Sequence, residues 1–318
     1  KWKLFDKETK SVIGKGIVER IGEKGGVPTH LEAMRSIIDN LPVKKEAIKE
    51  IGHRVVHGGE EIKESVLIDD KVKAVIERNI LLAPLHNRYN LIGIEICEKL
   101  LPGVPQVAVF DTAFHHTIGP AVYLYAVPYE WYQKYGLRRY GFHGKSHRYV
   151  SQRAAEILGK PLEKLRMITC HLGNGCSLTA IKFGKSVATS MGLTPLEGLV
   201  MGERAGDIDP GIFEFIAEKE NLSIQQITEI LNRGSGLLGL SGTSKDMRDI
   251  LKSIEEGDER AKLAREVFIE RLIEYIGRYE TKMGGVDVIV FTAGIGENDA
   301  DLRSVVCERL RFKGLEID

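Results

Sequence analysis

The chain has no excess of either charge: 45 Lys and Arg are matched by 45 Asp and Glu. Nucleic-acid binders usually show a basic excess, so no nucleic-acid partner is expected. A local basic pocket for a small anion stays open. No apolar run approaches the length of a membrane span and no signal peptide opens the chain, so the reading is of a cytoplasmic protein without a membrane partner. Cysteine is scarce. Cys97, Cys170, Cys176 and Cys307 are scattered without a Cys-x-x-Cys pair, which predicts reduced, mostly buried thiols. Nowhere does Gly-x-x-x-x-Gly-Lys-Ser/Thr occur, which excludes a P-loop nucleotide site.

What is present is enough for normal cores: 318 residues, 43% of them apolar, a length that suggests about two domains. Residues 1–22 alternate apolar and polar and read as a hairpin turning near Asp6–Thr9 and ending near Arg20-Ile21. Leu31, Met34, Ile37 and Ile38 have helical spacing over 30–40. A strand over 52–56 runs into Gly58-Gly59. Helices are expected over 70–79 and 90–101. Val107-Ala108-Val109-Phe110-Asp111 reads as a buried parallel strand ending on an acid, the end at which α/β sheets bind ligands. A second unit starts near Thr112. In it Tyr140–His147 precedes a helix through Ile157, helices follow over 213–219, 224–231 and 244–254, and a long one spans 258–283 before Gly284-Gly285. Val286–Phe291 reads as a buried strand, 292–298 as a glycine-rich loop, and 301–310 as a helix.

Two stretches carry the chemistry. Ile168–Leu178 reads as a strand, a Gly-Asn-Gly turn and a second strand. Gly173 and Gly175 free the backbone for close ligand approach, and such a turn can aim several N–H groups at one anion. Gly202–Pro210 then places Arg204 among small residues, which suits phosphoryl chemistry. An ordinary hairpin with a surface loop explains the same residues equally well. The strand, glycine-rich loop and helix around Gly294–Asn298 form a second phosphate candidate. Together they suggest a nucleotide cleft between two α/β halves. Other readings stay bland when taken singly. Arg54 could pair with Glu60, Asp111 could cap its turn, Arg248 could be solvated, and Gly294–Asn298 could be a tight turn and helix cap. The His53/His57 and His143/His147 pairs have metal-like spacing but lack nearby acids or cysteines, which favours structural or phosphate-contacting roles.

Taken in order, several segments resemble the acetate kinase family: His53–Glu60, Ala83–Asn87, Phe110–His115, Tyr140–His147, His171–Gly175, Thr194–Gly198, Gly202–Pro210 and Phe291–Asn298. The resemblance runs from Lys1 to Asp318. It implies an α/β fold of two related ribonuclease H-like (actin-like ATPase) domains with an interdomain nucleotide cleft, divided here as 1–112 and 113–318. It also implies reversible phosphate transfer between ATP and acetate, with ADP and acetyl phosphate as products, using Mg²⁺ (or Mn²⁺ in its place), in a homodimer. Carried over by residue, Arg54 and Arg204 match arginines near acetate and the phosphoryl group, Asp111 the catalytic aspartate, and His143 a histidine on the transferring phosphoryl. His86 matches a further active-site histidine. Val56, Leu85, Phe142 and Pro195 match the acetate methyl pocket. His171, Leu172, Gly173, Asn174 and Gly175 match the ATP phosphate loop. Asp246, Met247 and Arg248, with Gly294, Ile295, Gly296, Glu297 and Asn298, match adenosine and phosphate contacts.

The chain departs from the family pattern in places. The N-terminal strand with its Asn and Ser-rich loop, and the C-terminal segment with a Mg²⁺-binding glutamate, are not matched. The ends therefore read as cut from something longer, and no metal ligand is expected within 1–318. A longer β segment usually stands at Gly22–Pro28. Lys145 and Glu203 replace threonines, Ala205 a serine, Arg88 a proline and Cys176 an alanine. Glu203 is expected to hold or partly neutralise Arg204. Competing readings are a kinase for propionate or another short-chain acid, and a non-catalytic actin-like nucleotide-binding protein.

Overall fold

The computed structural model describes residues 1–22, 25–83 and 86–314. Leu85, one of the expected pocket residues, lies outside them. The chain separates into two compact units, Lys1–Phe110 and Asp111–Asp318. Each is mixed α/β, the class read from the sequence.

The first unit opens with β1 (Trp2–Phe5) and β2 (Val12–Gly16), paired antiparallel. Asp6 Oδ1 sets the turn by accepting from the Glu8 and Thr9 amides at 3.1 and 2.8 Å, an Asx turn. The second strand stops at Gly16, short of the expected Arg20-Ile21, and Arg20 itself takes a left-handed φ of 54°, which no strand accommodates. Helix α1 (His30–Asp39) starts where Thr29 Oγ1 accepts from the Glu32 amide, a side-chain N-cap. Then come β3 (Ile51–Val55), β4 (Val66–Leu67), α2 (Asp70–Arg78), α3 (Asn87–Leu100) and β5 (Gln106–Phe110). β5 is central, parallel to β3 and antiparallel to β4. It alternates fully and half-buried residues, with Ala108 and Phe110 at 0% exposure.

Helix α3 starts three residues earlier than its periodicity suggests, because buried Asn87 has a structural task. Its Oδ1 accepts from the His57 amide (3.0 Å), and its Nδ2 donates to the His57 and Ile76 carbonyls. One turn on, Asn90 Oδ1 accepts from the Val56 amide at 3.1 Å. Two asparagines on α3 thus hold the chain leaving β3, satisfying backbone groups that have no ladder partner.

The second unit begins with two short helices, α4 (Pro120–Tyr123) and α5 (Tyr129–Tyr135), followed by α6 (Gly144–Ile157). The sheet strands β6 (Arg166–Leu172), β7 (Cys176–Lys182) and β8 (Lys185–Thr189) form an antiparallel meander. The helices α7 (Gly211–Glu220), α8 (Ile224–Arg233), α9 (Gly236–Ser241), α10 (Met247–Glu255) and α11 (Glu259–Met283) come next. After this crossover β9 (Val288–Thr292) joins the other side of β6 in parallel, giving the order β8-β7-β6-β9. The short α12 (Ala293–Asn298) and α13 (Ala300–Arg309) complete the unit. The core is anchored on β6 and β7, where Met167, Ile168, Leu172, Leu178 and Ile181 are all at 0% exposure. Gly284 closes α11 with a φ of 74°, the left-handed cap its position predicts.

Three local expectations need correction. The glycine-rich stretch after β9 is not a loop: residues 293–298 coil into α12 as soon as the strand ends. Ala293, at φ 66°, makes the change of direction. β9 is half-buried rather than buried, being the last strand in the sheet order. Helix α6 begins at Gly144, so the Gly-Lys-Ser-His segment forms its first turn instead of preceding it. One glycine pattern needs a structural reading as well. Gly234-Ser235-Gly236-Leu237-Leu238-Gly239 has dinucleotide-motif spacing, but it joins α8 to α9. With no strand before it, it lacks the context that motif requires.

Candidate active site

The Gly-Asn-Gly turn lies between β6 and β7 and is closed by the Gly173 amide on the Gly175 carbonyl at 3.2 Å. Cys176 Sγ donates to the Gly173 carbonyl from the inside of the turn. Burial pushes that thiol up to about 12, so it stays protonated and serves as a brace. The Gly202 amide donates to the Asn174 carbonyl at 3.0 Å, which fastens the Gly202–Pro210 segment to the turn. There is no room for a side chain at Gly202: a Cβ would lie 2.2 Å from Asn174 Oδ1 and 2.9 Å from the Lys245 carbonyl.

Arg204 is held by its Nη1, which donates to the Pro195 carbonyl at 3.2 Å. Burial pulls its pKa down while Glu203 and Cys176 oppose that, and an arginine so placed remains charged. Glu203 does not hold Arg204 as expected. Its carboxylate pairs with Lys245 at 2.7 Å, and its effect on Arg204 is through the field alone.

His143 precedes α6 in the left-handed region, at φ 57°. That conformation is uncommon for a residue with a Cβ, and it marks a residue whose direction is fixed by its surroundings. Its Nδ1 lies 2.8 Å from Ser177 Oγ, and its ring stacks on His171 at 4.2 Å. The Nε2 edge of the ring faces the turn. A Cβ built on Gly175 would sit 3.5 Å from both His143 Nε2 and Arg204 Nη1. A glycine, an imidazole edge and a guanidinium thus converge on one small space.

Asp111 follows β5 and is 2% exposed. Its carbonyl accepts from the Gly144 amide at 2.9 Å, and a Cβ on Gly144 would press within 2.4 Å of that oxygen. The first turn of α6 is therefore seated on Asp111. Lys145 shares that turn; burial lowers its pKa most, Arg148 lowers it further, and Asp111 opposes both.

Next to the turn is a cavity of about 890 Å³ whose lining comes entirely from the second unit. Eight of the residues expected to contact the nucleotide line it together: Gly173, Asn174, Asp246, Met247, Arg248, Gly294, Ile295 and Asn298. His171, Leu172, Gly175, Gly296 and Glu297 do not. Leu172 points into the core at 0% exposure. His171 Nδ1 lies 2.8 Å from Ser146 Oγ. Gly296 is buried, and Glu297 accepts from Thr292 Oγ1. Ser244, Lys245, Asp249, Leu251 and Asp299 also line the cavity and were missed. Ser244, Lys245 and Asp249 lie within three residues of the α10 cap Asp246, and Asp299 caps α13, which is the signal that would have found them; Leu251, inside α10, carries none. Asp246 caps α10 and is gripped by Arg248, which holds its carboxyl down at about 2.

In the first unit, Arg54 is exposed near the end of β3, Val56 is buried just beyond it, and His86 is half-buried at the start of α3. In the second, Phe142 is buried with its carbonyl accepting from His115 Nε2, and Pro195 is half-buried. Among the described residues, no group of three or more His, Cys, Asp or Glu side chains is placed to hold a metal ion. A Mg²⁺ carried on nucleotide phosphates needs only one or two carboxylates.

The acetokinase family model matches residues 2–318. Acetate kinase from Halothermothrix orenii is 53% identical over 342 aligned positions, which cover all of this chain and 86% of that protein. The crystal structure of Porphyromonas gingivalis acetate kinase superposes with a TM-score of 0.93 at 47% identity, covering 98% of this chain and 84% of that one. A propionate kinase from Francisella tularensis superposes at 0.88 with 46% identity, covering 92% and 76%. From the full-length match and the identities near one half, the chain belongs to the acetokinase family.

Proposed function

We propose that this protein transfers the γ-phosphoryl group of ATP to acetate, reversibly, giving acetyl phosphate and ADP. The observation that carries the proposal is the convergence of Gly175, His143 and Arg204 on one small space beside a nucleotide-sized cavity. An acetate oxygen attacks the γ-phosphorus, the bond from phosphorus to the bridging oxygen breaks, and ADP leaves with that electron pair. Acetate has a carboxyl pKa of about 4, so at neutral pH it is already the nucleophile and needs no base. What it needs is positioning and relief from the charge of ATP, which is how phosphoryl transfer is catalysed in general. Arg204 and His143 supply donors to the phosphoryl oxygens in flight. Arg54 binds the carboxylate, and His86 is a further active-site histidine. The resemblance assigns the acetate methyl to Val56, Leu85, Phe142 and Pro195. Asp111 serves as partner to an arginine or to Mg²⁺, and the ion supplies charge neutralisation when it arrives with the nucleotide.

The remaining parts of the proposal follow the same resemblance. The domain division falls near residue 112, the nucleotide is ATP or ADP, and the working form is a homodimer in the cytoplasm. Among the described residues no helix is long and apolar enough to cross a membrane, and all four cysteines are buried and free.

A second reading, propionate as the acceptor, is favoured by the likeness to the Francisella propionate kinase. Val56 is branched and buried, which favours acetate. One methylene is worth about 1–3 kcal/mol of discrimination, so Val56→Ala should shift kcat/KM toward propionate by about tenfold or more. An acid panel in a hydroxamate assay decides, and an unchanged acetate-to-propionate ratio in the variant would remove Val56 from the pocket.

A further inference from the structure

Arg204 is oriented by a carbonyl and not by a carboxylate. Among the described residues, its hydrogen bonds go to the Pro195 carbonyl at 3.2 Å and to Met201 Sδ at 3.7 Å. A neutral oxygen directs a guanidinium without cancelling its charge, which stays available to an anion. The direction of Arg204 is then only as fixed as the carbonyl of Pro195. That carbonyl lies in residues 191–200, which form neither helix nor strand, so no regular ladder of backbone bonds holds it.

Three side chains hold this segment instead. Tyr125 Oη accepts from the Leu193 amide at 3.0 Å and donates to Glu197 Oε2. Burial, with Glu197 beside it, pushes the Tyr125 hydroxyl up, so it keeps the proton it donates. Glu197 Oε1 accepts from Arg139 Nη2, and the two side chains of this pair are 30% and 12% exposed. Arg139 Nη1 donates to the Ser190 and Met191 carbonyls at 2.9 and 3.1 Å. Leu193 and Glu197 stand two residues to either side of Pro195, and both are tied to the one hydroxyl. The fit is close, for a Cβ on Gly192 would overlap both Glu197 Oε2 and Tyr125 Oη. The Gly192 carbonyl accepts from the Tyr140 and Gly141 amides at 3.0 and 3.2 Å, on the stretch that leads from Arg139 to His143. The group therefore joins the segment that carries His143 to the one that orients Arg204.

We propose that Tyr125, Glu197 and Arg139 are positioning residues that set the direction of Arg204 by fixing the Pro195 carbonyl. This rests on the reading of Arg204 as a donor to the phosphoryl group in flight. Burying an ion pair returns little net stability, since desolvation offsets the attraction. What this pair supplies is geometry. Each oxygen of the Glu197 carboxylate takes a bond, one from a planar guanidinium and one from a hydroxyl on a rigid ring. The carboxylate is thereby fixed from two sides, and the backbone of 193–197 is fixed with it.

The test is a double-mutant cycle in the full chain, read together with side-chain NMR. Tyr125→Phe keeps the ring and removes the hydroxyl that ties both sides of Pro195. It should lower kcat by about tenfold or more, toward the roughly 10²-fold cost of a misplacement of about 1 Å. The ATP KM should change by less than about twofold, since ground-state binding is not what the hydroxyl serves. In the Arg204→Ala background the same substitution should change kcat by less than about twofold, because residues that act through one another are not additive. Equal losses in the two backgrounds would overturn the proposal. The ¹⁵N signals of the Arg204 guanidinium, assigned by their loss in Arg204→Ala, read its restraint without turnover. Wild type should give resolved Nη–H signals from hindered rotation, and Tyr125→Phe averaged ones; unchanged signals in the variant would also overturn the proposal. Glu197→Gln, which keeps the side-chain length, stands in with the same expectations if Tyr125→Phe does not fold. A wild type that makes no acyl phosphate would count against the proposed function, while the Arg204 signals still decide whether the three residues hold it.

Discussion

Gly175 is the residue on which the site's chemistry turns, because it is defined by the side chain it lacks. A methyl there would meet His143 and Arg204 at ordinary contact distance, 3.5 Å. Gly175→Ala is therefore expected to fold and melt like wild type while filling the space in which a phosphoryl group must pass. The expected loss in kcat is on the order of 10²-fold, the effect of a misplacement of about 1 Å. Thermal melts alongside turnover check this, and a Gly175→Ala enzyme with near-normal kcat would show that the phosphoryl passes elsewhere. The two arginines should separate by kinetic parameter. Arg204→Ala removes a donor acting on the group in flight and should lower kcat by about 10²–10³-fold, the range for loss of one such donor. Arg54→Ala removes ground-state binding of the carboxylate and should mainly raise the acetate KM. Initial-rate kinetics with acetate varied at saturating ATP read both values. Equal effects on the two parameters in both variants would deny the division of roles.

At the scale of elements, the site is two turns fastened together. The β6–β7 turn supplies Gly173–Gly175, the Gly202–Pro210 segment is tied to it by the Gly202 amide on the Asn174 carbonyl, and Arg204 in that segment is held by the Pro195 carbonyl. Gly202→Ala would push against Asn174 Oδ1, which can move, and against the Lys245 carbonyl, which cannot do so without shifting the start of α10. Since Asn174 and Lys245 both line the nucleotide cavity, the variant should weaken ATP binding by about tenfold, equal to about 1.4 kcal/mol. Calorimetric titration with ATP measures it, and unchanged affinity would mean the cavity does not hold the nucleotide.

The same scale shows what could be read in advance. The β6–β7 hairpin, β5 running into Asp111 and the long α11 with its glycine cap were legible, because alternation, apolar runs and capping residues are local signals. The helical form of 293–298 was not. Its glycines suggest a loop, yet the chain turns at Ala293 and coils, a choice made by packing against the sheet and not by propensity. Nor could the sequence show that Glu203 turns to Lys245 instead of its neighbour Arg204, since adjacency along the chain says little about which way side chains point. The i,i+4 pair His143 and His147 stood out in the sequence, but Ser177, the serine that both touch, comes from β7 and could not be read there.

For the whole molecule, buried neutral histidines couple stability to pH. His115 is held neutral by burial, with its pKa lowered from 6.5 to about 4. Its Nε2 lies 2.9 Å from the Phe142 carbonyl and its Nδ1 2.9 Å from Ser186 Oγ. His147 is lowered too. Because the unfolded chain takes up these protons first, their contribution is complete above about pH 6.5 and is lost as pH falls toward 4. For His115 alone the loss approaches about 3 kcal/mol at the bottom of that range. Asp246, held at about 2, adds acid sensitivity only below its ordinary value of 3.8. Melting temperatures between pH 8 and 5 should thus be flat above neutrality and fall below about 6.5. His115→Gln, which keeps a donor and an acceptor without a titrating group, should flatten that fall. A melting temperature that rises as pH drops from 6.5 to 5 would contradict the burial of these rings as neutral groups.

The central claim is that this chain makes an acyl phosphate from acetate. The most direct measurement supplies ATP, Mg²⁺ and acetate to the protein, traps the product with hydroxylamine, and compares wild type with Arg204→Ala. Acetohydroxamate formed by wild type, in proportion to ADP released, and lowered about 10²–10³-fold in the variant, is the predicted result. ATP bound tightly with no hydroxamate from acetate, propionate or any other short-chain acid would contradict the account and leave a nucleotide-binding protein without a carboxylate substrate.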